Sequence, residues 1–270
     1  MKKYKISEFS RKMGVSVDLV KHYQSSEILF PDVDPNNGYR YYTIRHGERI
    51  VASRKYRKMG FSVNEAKEIL YEKDVDEIKE MLHEKKLELD QKIKLLQLKN
   101  SRIQEVYEEF EEMGHKVGSV EIHDGPGFYY LPHVIYRHLN DNEKVINELP
   151  EWMESLEFLY KTYDVKCKSD NIFYDKTIGF YIDEKYFDAL GFKKIDDIEY
   201  YKPSKRLIYY MKEEYSTDRY LEEYVMEFIE KGLKTGSKIK REQVFAQHIM
   251  DSNEDGKRYM YYKIICFLDY

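Results

Sequence analysis

From Val75 to Met113 the chain contains neither proline nor glycine, the residues that most often end a helix. Charge along it is dense and of both signs, and the stretch predicts one long helix. It divides the chain into residues 1–74, 75–115 and 116–270. Within it Leu82, Leu89, Leu96, Ile103 and Phe110 recur every seven residues. With these at heptad d, the a positions are Lys86, Ile93, Asn100 and Tyr107. Half of those a residues are polar, but a buried Asn at an a position is a known register device. The expectation is a dimerising coiled coil through Leu82, Leu89, Ile93, Leu96, Asn100, Ile103, Tyr107 and Phe110. The other reading is a lone amphipathic helix packed on the domain that follows.

The net charge of −5 hides an asymmetry. Residues 1–72 carry 14 Lys and Arg against 9 Asp and Glu, whereas residues 116–270 carry 23 against 29. A basic first quarter on an acidic chain points to an anionic partner for that quarter alone; chance scatter gives the same numbers. Cys167 and Cys266 are too few for a disulfide scaffold or a four-thiolate metal site. No apolar run approaches the ~20 residues of a membrane-spanning helix. No apolar segment follows the basic start Met1-Lys2-Lys3-Tyr4-Lys5. A cytoplasmic protein with no membrane partner is the expectation.

The basic segment reads as a small helical unit. Ile6, Phe9 and Met13 share a helical face, and Gly14 follows where a left-handed residue commonly stops a helix. Ser16 is placed to cap a second helix, with Asp18 in its first turn. Two short helices joined through Gly14-Val15 make a helix-turn-helix. Leu29-Phe30-Pro31 and Tyr39-Arg40-Tyr41-Tyr42 flank Asn36-Asn37-Gly38, a hairpin signal. That ribbon displays Arg40 among tyrosines, either to grip phosphate or to pack on the core. A third helix, Arg45 to Met59, is rich in Arg and Lys, and Gly60 ends it. Ser62-Val63-Asn64-Glu65 has capping-box spacing for a fourth helix through Leu70.

Tyr4-Lys5-Ile6-Ser7-Glu8, Gly14-Val15-Ser16, His22-Tyr23, Gly38-Tyr39-Arg40-Tyr41-Tyr42 and Lys58-Met59-Gly60-Phe61-Ser62-Val63-Asn64-Glu65 resemble the MerR family of transcription regulators, in order and register over residues 4–72. The resemblance implies a winged helix-turn-helix that binds double-stranded promoter DNA as a homodimer. It places Ser16, Lys21, His22 and Tyr23 on the recognition helix, Tyr39, Arg40 and Tyr41 on the wing, and Lys58 at a phosphate. The family usually has Arg-Tyr-Tyr where this chain has Lys21-His22-Tyr23, and a point-charge lysine is not a bidentate arginine. Ser7 stands where the family favours glycine. Metal and redox sensors of this type use thiolates in or after the long helix. No cysteine precedes Cys167, and His83 and His115 are lone imidazoles. Neither a metal nor a cofactor is expected.

After Gly114 and Gly118 the pattern changes. Residues 127–137 read as a strand and Glu143 to Tyr163 as a helix with Trp152 in its apolar face, broken or kinked near Pro150. Thr177–Ile182, Ile198–Lys202 and Lys205–Met211 read as strands. Asp218–Leu233 reads as a helix capped by Ser216 or Thr217, with Tyr220, Leu221, Tyr224, Val225 and Phe228 inward. Val244–Met250 and Arg258–Leu268 close the domain as a strand pair around the polar turn 251–256. The sum is strand–helix–strand–strand done twice, an α+β domain with a mainly antiparallel sheet. It resembles the gyrase-inhibitor-like (GyrI-like) effector-binding domain of the multidrug-responsive MerR branch, most clearly at Lys202-Pro203-Ser204-Lys205-Arg206 and Tyr262-Lys263-Ile264-Ile265.

In that branch two buried glutamates face cationic drugs. Here Ala246 and Tyr261 stand at the aligned positions, which removes the main reason to expect a cation. Phe180, Tyr181, Tyr209, Phe245, Tyr259 and Tyr261, with Ala246, are the candidates to line a cavity between the repeats, along with Tyr210 and Tyr262. Each is otherwise core or surface, and His248 reads as a packed strand histidine. The leading expectation is a regulator, not an enzyme, answering to a small planar or aromatic effector. By resemblance its dimer distorts a promoter so that RNA polymerase engages both elements. A C-terminal domain that takes a protein partner is the alternative. A GyrI-like hydrolase is a further one, for which Glu199 and Glu222 lack a convincing partner.

Overall fold

The computed structural model describes residues 1–135, 138–167, 173–215, 225, 227–231 and 239–268. The chain divides into two compact units, Met1–Leu96 and Gln97–Tyr270, and the division falls inside one helix.

The first unit opens with α1 (Ile6–Met13) and α2 (Val17–Ser25). Gly14, at φ 65°, closes α1 in the left-handed conformation. Ser16 Oγ accepts from the Leu19 amide at 3.1 Å, so α2 begins where the sequence places its cap. Phe9, Val20, Tyr23, Ile28, Tyr42 and Ile50 form the core. Phe9 and Tyr42 stack with centroids 4.9 Å apart, and the Tyr42 hydroxyl donates to Gln24 Oε1 at 2.9 Å. The ribbon, β1 (Asp32–Val33) and β2 (Arg40–Tyr41), is shorter than the flanking aromatic runs predict. Leu29 and Tyr42 have gone to the core instead. Nor is the turn an Asn-Gly pair with both residues at positive φ. Only Gly38 lies there, at 70°, and Asp34 organises the loop by accepting from the amide of Asn36 and the side chain of Asn37, both at 2.9 Å.

Helix α3 (Ile44–Lys58) begins at Thr43, whose amide donates to His46 Nδ1 at 2.9 Å while His46 Nε2 bonds the Phe30 carbonyl at 2.9 Å. That network requires the tautomer with hydrogen on Nε2. Helix α4 (Val63–Tyr71) carries the expected capping box between Ser62 and Glu65. Helix α5 (Val75–Lys116) is continuous for 42 residues and passes through Gly114, ending just short of Gly118 at φ 85°.

The second unit contains the last part of α5 and a sheet of nine strands among the described residues, every described pairing antiparallel. In chain order it runs β3 (Val120–Gly125), β4 (Phe128–Ile135), β5 (His138–Leu139), α6 (Glu143–Met153), β6 (Tyr160–Cys167), β7 (Phe173–Asp183), α7 (Glu184–Leu190), β8 (Glu199–Tyr201), β9 (Ser204–Glu214), β10 (Ile239–Glu254) and β11 (Lys257–Leu268). The spatial order is β3-β9-β11-β10-β6-β7-β4-β5, with β8 also paired to β4. On one face Trp152 of α6 and Phe187 of α7 pack against Tyr129, Leu131 and Ile182, while Val225, Phe228 and Ile229 pack against Tyr209, Ala246 and Ile264. The opposite face carries Phe128, Tyr130, Tyr181, Phe245 and Ile265, and meets α5 through Met113, Tyr210 and Tyr261. Gly179 allows this sheet to close: a Cβ there would lie 2.2 Å from the Leu131 carbonyl oxygen.

Several expectations need correction. The helix over Glu143–Tyr163 stops at Met153. Pro150 deprives its last turn of an amide, a 3₁₀ turn follows at Leu156–Phe158, and Tyr160 onward is a central strand between β7 and β10. Tyr160-Lys161-Thr162-Tyr163-Asp164-Val165 alternates and is aromatic and β-branched, a strand signature masked by the apolar spacing upstream. The turn over residues 251–256 shrinks to Asp255-Gly256, at φ 50° and 80°, because β10 and β11 pair out to Glu254 and Lys257. Strand β3 and helix α7 are additions, so the twofold repeat is less regular than predicted. Tyr136 and Arg137 of the first predicted strand, and Ser216, Thr217, Tyr220, Leu221, Glu222 and Tyr224 of the second predicted helix, lie outside the described residues.

Candidate nucleic-acid interface and C-terminal cavity

Helix α2 presents Lys21 and His22 to solvent, and Ser16 is exposed at its start. Tyr23, one residue on, points the other way: it is 3% exposed and part of the core. It is therefore withdrawn from the base-reading set, since its ring is packed in the core of this unit. On the ribbon Tyr39 and Arg40 are exposed and Tyr41 is half-buried. Lys5 Nζ lies 5.1 Å from the Tyr39 ring centroid. Lys58 is exposed at the end of α3, as are Arg45 and Arg54 along it.

These cations divide by occupation. Arg57 donates to the Phe61 carbonyl at 2.6 Å and Arg49 lies over the Tyr71 ring at 4.8 Å, so both serve the fold. Among the described residues the side chains of Lys21, Arg40, Arg45, Arg54 and Lys58 make no hydrogen bond or ion pair. They are hydrated positive charges held on capped helices and a pinned ribbon, the arrangement that binds phosphate backbones.

Along α5 two stripes separate. Leu98, Arg102 and Met113 turn inward: Leu98 packs beside Phe158, Arg102 lies over the Tyr160 ring at 4.4 Å and Met113 is fully buried. The heptad residues form the other stripe. Leu82, Leu89, Ile93, Tyr107 and Phe110 are exposed apolar residues, with Leu96 at 64% and Ile103 at 68%, and Asn100 is exposed among them. The packed-helix reading and the seam reading thus describe different faces of one helix.

In the second unit a cavity of about 310 Å³ lies between the last turns of α5 and the α5-facing side of the sheet. Glu109 of α5 is its anchor: Lys263 of β11 ion-pairs with it and the Tyr160 hydroxyl donates to it at 2.8 Å. Lys116 bridges Glu112 and Glu121 at 3.0 and 3.1 Å. The Tyr181 hydroxyl donates to Asp183 Oδ1 at 2.9 Å. Burial pushes the Asp183 carboxyl above the usual carboxylate range, against that bond and the nearby cations, and burial likewise raises the Tyr181 phenol. Arg206 of β9 enters the same space and is 3% exposed.

Of the nine ligand candidates, Tyr181 and Tyr210 line this cavity. Phe245 sits on the same sheet face under Phe128 and Tyr130. Tyr261 and Tyr259 are beside it near Met113, where Lys212 lies over both rings at 5.4 and 4.1 Å. Tyr209 and Ala246 are on the opposite face in the core beneath Val225 and Phe228, with Tyr262. Phe180 is also on that side, stacked on His133 at 5.7 Å. The set is not gathered into one cavity, because Phe180 and Tyr181, like Phe245 and Ala246, are strand neighbours and point to opposite faces. The residues that do shape the cavity, Glu109, Asp183, Arg206, Gln247 and Lys263, were not among the candidates. The signal available for Arg206 was its alternation with Ile208 and Tyr210 along β9, which puts a charge in line with apolar neighbours. Among the described residues no cluster of His, Cys, Asp or Glu has metal-site geometry, and no helix is long and apolar enough to cross a membrane.

Comparison with known proteins bears on the first unit. Residues 4–73 match the sequence profile of the MerR HTH family regulatory proteins. The HTH-type transcriptional regulator CueR of Yersinia pestis is 34% identical over 65 residues, 24% of this chain and 47% of that protein. CueR of Salmonella typhi is 29% identical over the same length. The chain thus spans about half the length of these curated relatives. Among solved structures, a MerR-family transcriptional regulator from Bacillus cereus aligns with TM-score 0.36 at 22% identity, over 41% of this chain and 84% of that one. An EcmrR–DNA complex in EcmrR-RPo aligns with TM-score 0.38 at 13% identity, over 98% and 99% of the two chains. The two capped helices and the ribbon thus lie within the segment, residues 4–73, that matches the MerR HTH family.

Proposed function

We propose that this chain is a DNA-binding transcription regulator of the MerR type that works as a homodimer on promoter DNA. The observation that carries the reading is the set of exposed, unengaged cations on α2, the ribbon and α3. Lys21 and His22 are placed to read bases from α2, while Arg40 and Lys58, with Tyr39 and Tyr41, hold phosphates. The exposed apolar stripe of α5 is the dimer seam, since a row of leucines, isoleucines and aromatics left in water favours a partner.

The C-terminal unit, α+β with an antiparallel sheet, is a GyrI-like sensor whose cavity takes a small effector with a flat apolar portion. Effector binding favours one of two protein conformations, and the dimer distorts the promoter in a way RNA polymerase exploits, as the family resemblance implies. No catalytic role is assigned: Glu199 accepts from the Tyr201 hydroxyl, and Glu222 lies outside the described residues.

The test is titration of a labelled duplex carrying the DNA upstream of this gene, with sedimentation of the free protein. Expected are a dimer and a binding constant that falls steeply with salt. A monomer that ignores duplex DNA at 50 mM salt would falsify the proposal.

A further inference from the structure

We propose that the cavity between α5 and the sheet selects ligands carrying a carboxylate or another oxoanion on a flat apolar body, and that Arg206 is the seat of the anion. The inference rests on the reading of this cavity as the effector site and adds the chemical class of the effector.

Arg206 is buried and charged, yet among the described residues no carboxylate lies within ion-pairing distance of it. Its Nε has no hydrogen-bond partner. The rest of the guanidinium donates to the Pro126 carbonyl and, at a long 3.4 Å, to the Tyr181 hydroxyl, and it lies over the Phe128 ring at 4.9 Å. A guanidinium has five donors in a planar fork that matches an oxoanion, and a buried charge is retained only where something pairs with it. Of the other charged side chains that line the cavity, all but the exposed Asp124 are engaged. Lys263 is held by Glu109 and Lys116 by Glu112 and Glu121. The carboxylates are engaged too, Glu109 by Lys263 and Tyr160, and Asp183 by Tyr181. Away from Asp124, which is exposed to solvent, a cationic ligand would have to break one of those bonds, whereas an anion completes Arg206 and breaks none. Tyr181, Ile208 and Ile265 supply the apolar wall for its body.

The experiment uses the full chain and three probes of one shape: 2-naphthoate, 2-naphthamide and 2-naphthylmethylammonium, titrated by calorimetry. Naphthoate is expected to bind at least tenfold tighter than the other two. Arg206→Met removes the fork, and naphthoate affinity falls at least tenfold while the melting temperature does not drop, because the charge removed was unpaired. Gly125→Ala keeps the charge but moves it, since a Cβ there would lie 2.3 Å from the guanidinium carbon. It too weakens naphthoate, and it decides the matter if Arg206→Met does not fold. Amide or ammonium binding as tightly as naphthoate overturns the anion class but leaves the effector site standing. Unchanged naphthoate affinity in both variants overturns Arg206 as the seat. Failure of all three probes to bind at millimolar concentration removes the effector-site reading as well.

Discussion

Replacing Arg40 by alanine separates what the ribbon does for DNA from what it does for the fold. The side chain is exposed and makes no hydrogen bond or ion pair among the described residues, and its neighbour Tyr42 rather than Arg40 ties β2 to the core. Folding stability should therefore stay within about 0.5 kcal/mol of the parent, the usual range for surface substitutions. Binding should not. One phosphate contact contributes about 0.9 to the slope of log K against log salt, so two copies in a dimer contribute roughly 1.8. At about 0.1 M salt that slope difference corresponds to a loss of roughly 60-fold, shrinking towards nothing near 1 M. Fluorescence anisotropy over a salt series on two unrelated duplexes gives both numbers. An unchanged slope, or a loss confined to one base position of one duplex, would show that Arg40 is not a backbone contact.

Other substitutions probe the remaining parts. Lys21→Ala and His22→Ala should change which sequences are enriched in a binding selection and leave the salt slope nearly intact; uniform weakening across all sequences contradicts base reading. Leu96→Asp puts a charge at the exposed centre of the apolar stripe of α5 and should sediment as a monomer; a persisting dimer refutes the seam. Glu65→Gln tests the α4 capping box. The hydrogen bonds from Ser62 hold the Glu65 carboxyl below its ordinary value of 4.5, so its ionised form stabilises the fold. That contribution is present in full above pH 4.5 and disappears as pH falls through the lowered folded value. The gap in denaturation midpoint between parent and Glu65→Gln should therefore be visible at pH 7 and close in acid. A gap that grows in acid has the wrong sign.

Much of the first unit was legible because its signals are local. Gly14, Ser16, and the Ser62–Glu65 pair each act within one helical turn, and the structure places the helix ends where those residues put them. The break-free run from Val75 to Met113 likewise needs only the absence of residues that stop a helix, and α5 spans it. The misses there are cases in which tertiary contacts outbid a local preference. Asn37 does not enter the left-handed region because the Asp34 carboxylate binds its side chain and the preceding amide. Tyr23, beside two exposed polar residues, leaves the surface because the helix turns it onto Val20, Ile28 and Tyr42.

The C-terminal unit was harder to read, and the reason is parity. A strand residue is assigned to a face only when its register is known, and register comes from pairings far away in the chain. Aromatic content marked Phe180, Tyr181, Tyr209, Phe245 and Tyr261 as interesting but carried no information on which of them look the same way. One anchored pair resolves it. Phe245 opposite Asp164 and Ile265 places β10 relative to its two neighbours, and Tyr160 opposite Tyr181 then carries the same face across to β7. From there the alternation assigns Arg206, Ile208, Tyr210, Lys263 and Ile265 to the α5 side, and Tyr209, Ala246 and Tyr262 to the other. Once the faces are fixed, the residues that matter in the cavity are no longer the aromatics that composition advertises. They are the charges that strand periodicity drives inward, above all Arg206, which stands at an apolar position with no carboxylate of the described residues within ion-pairing distance.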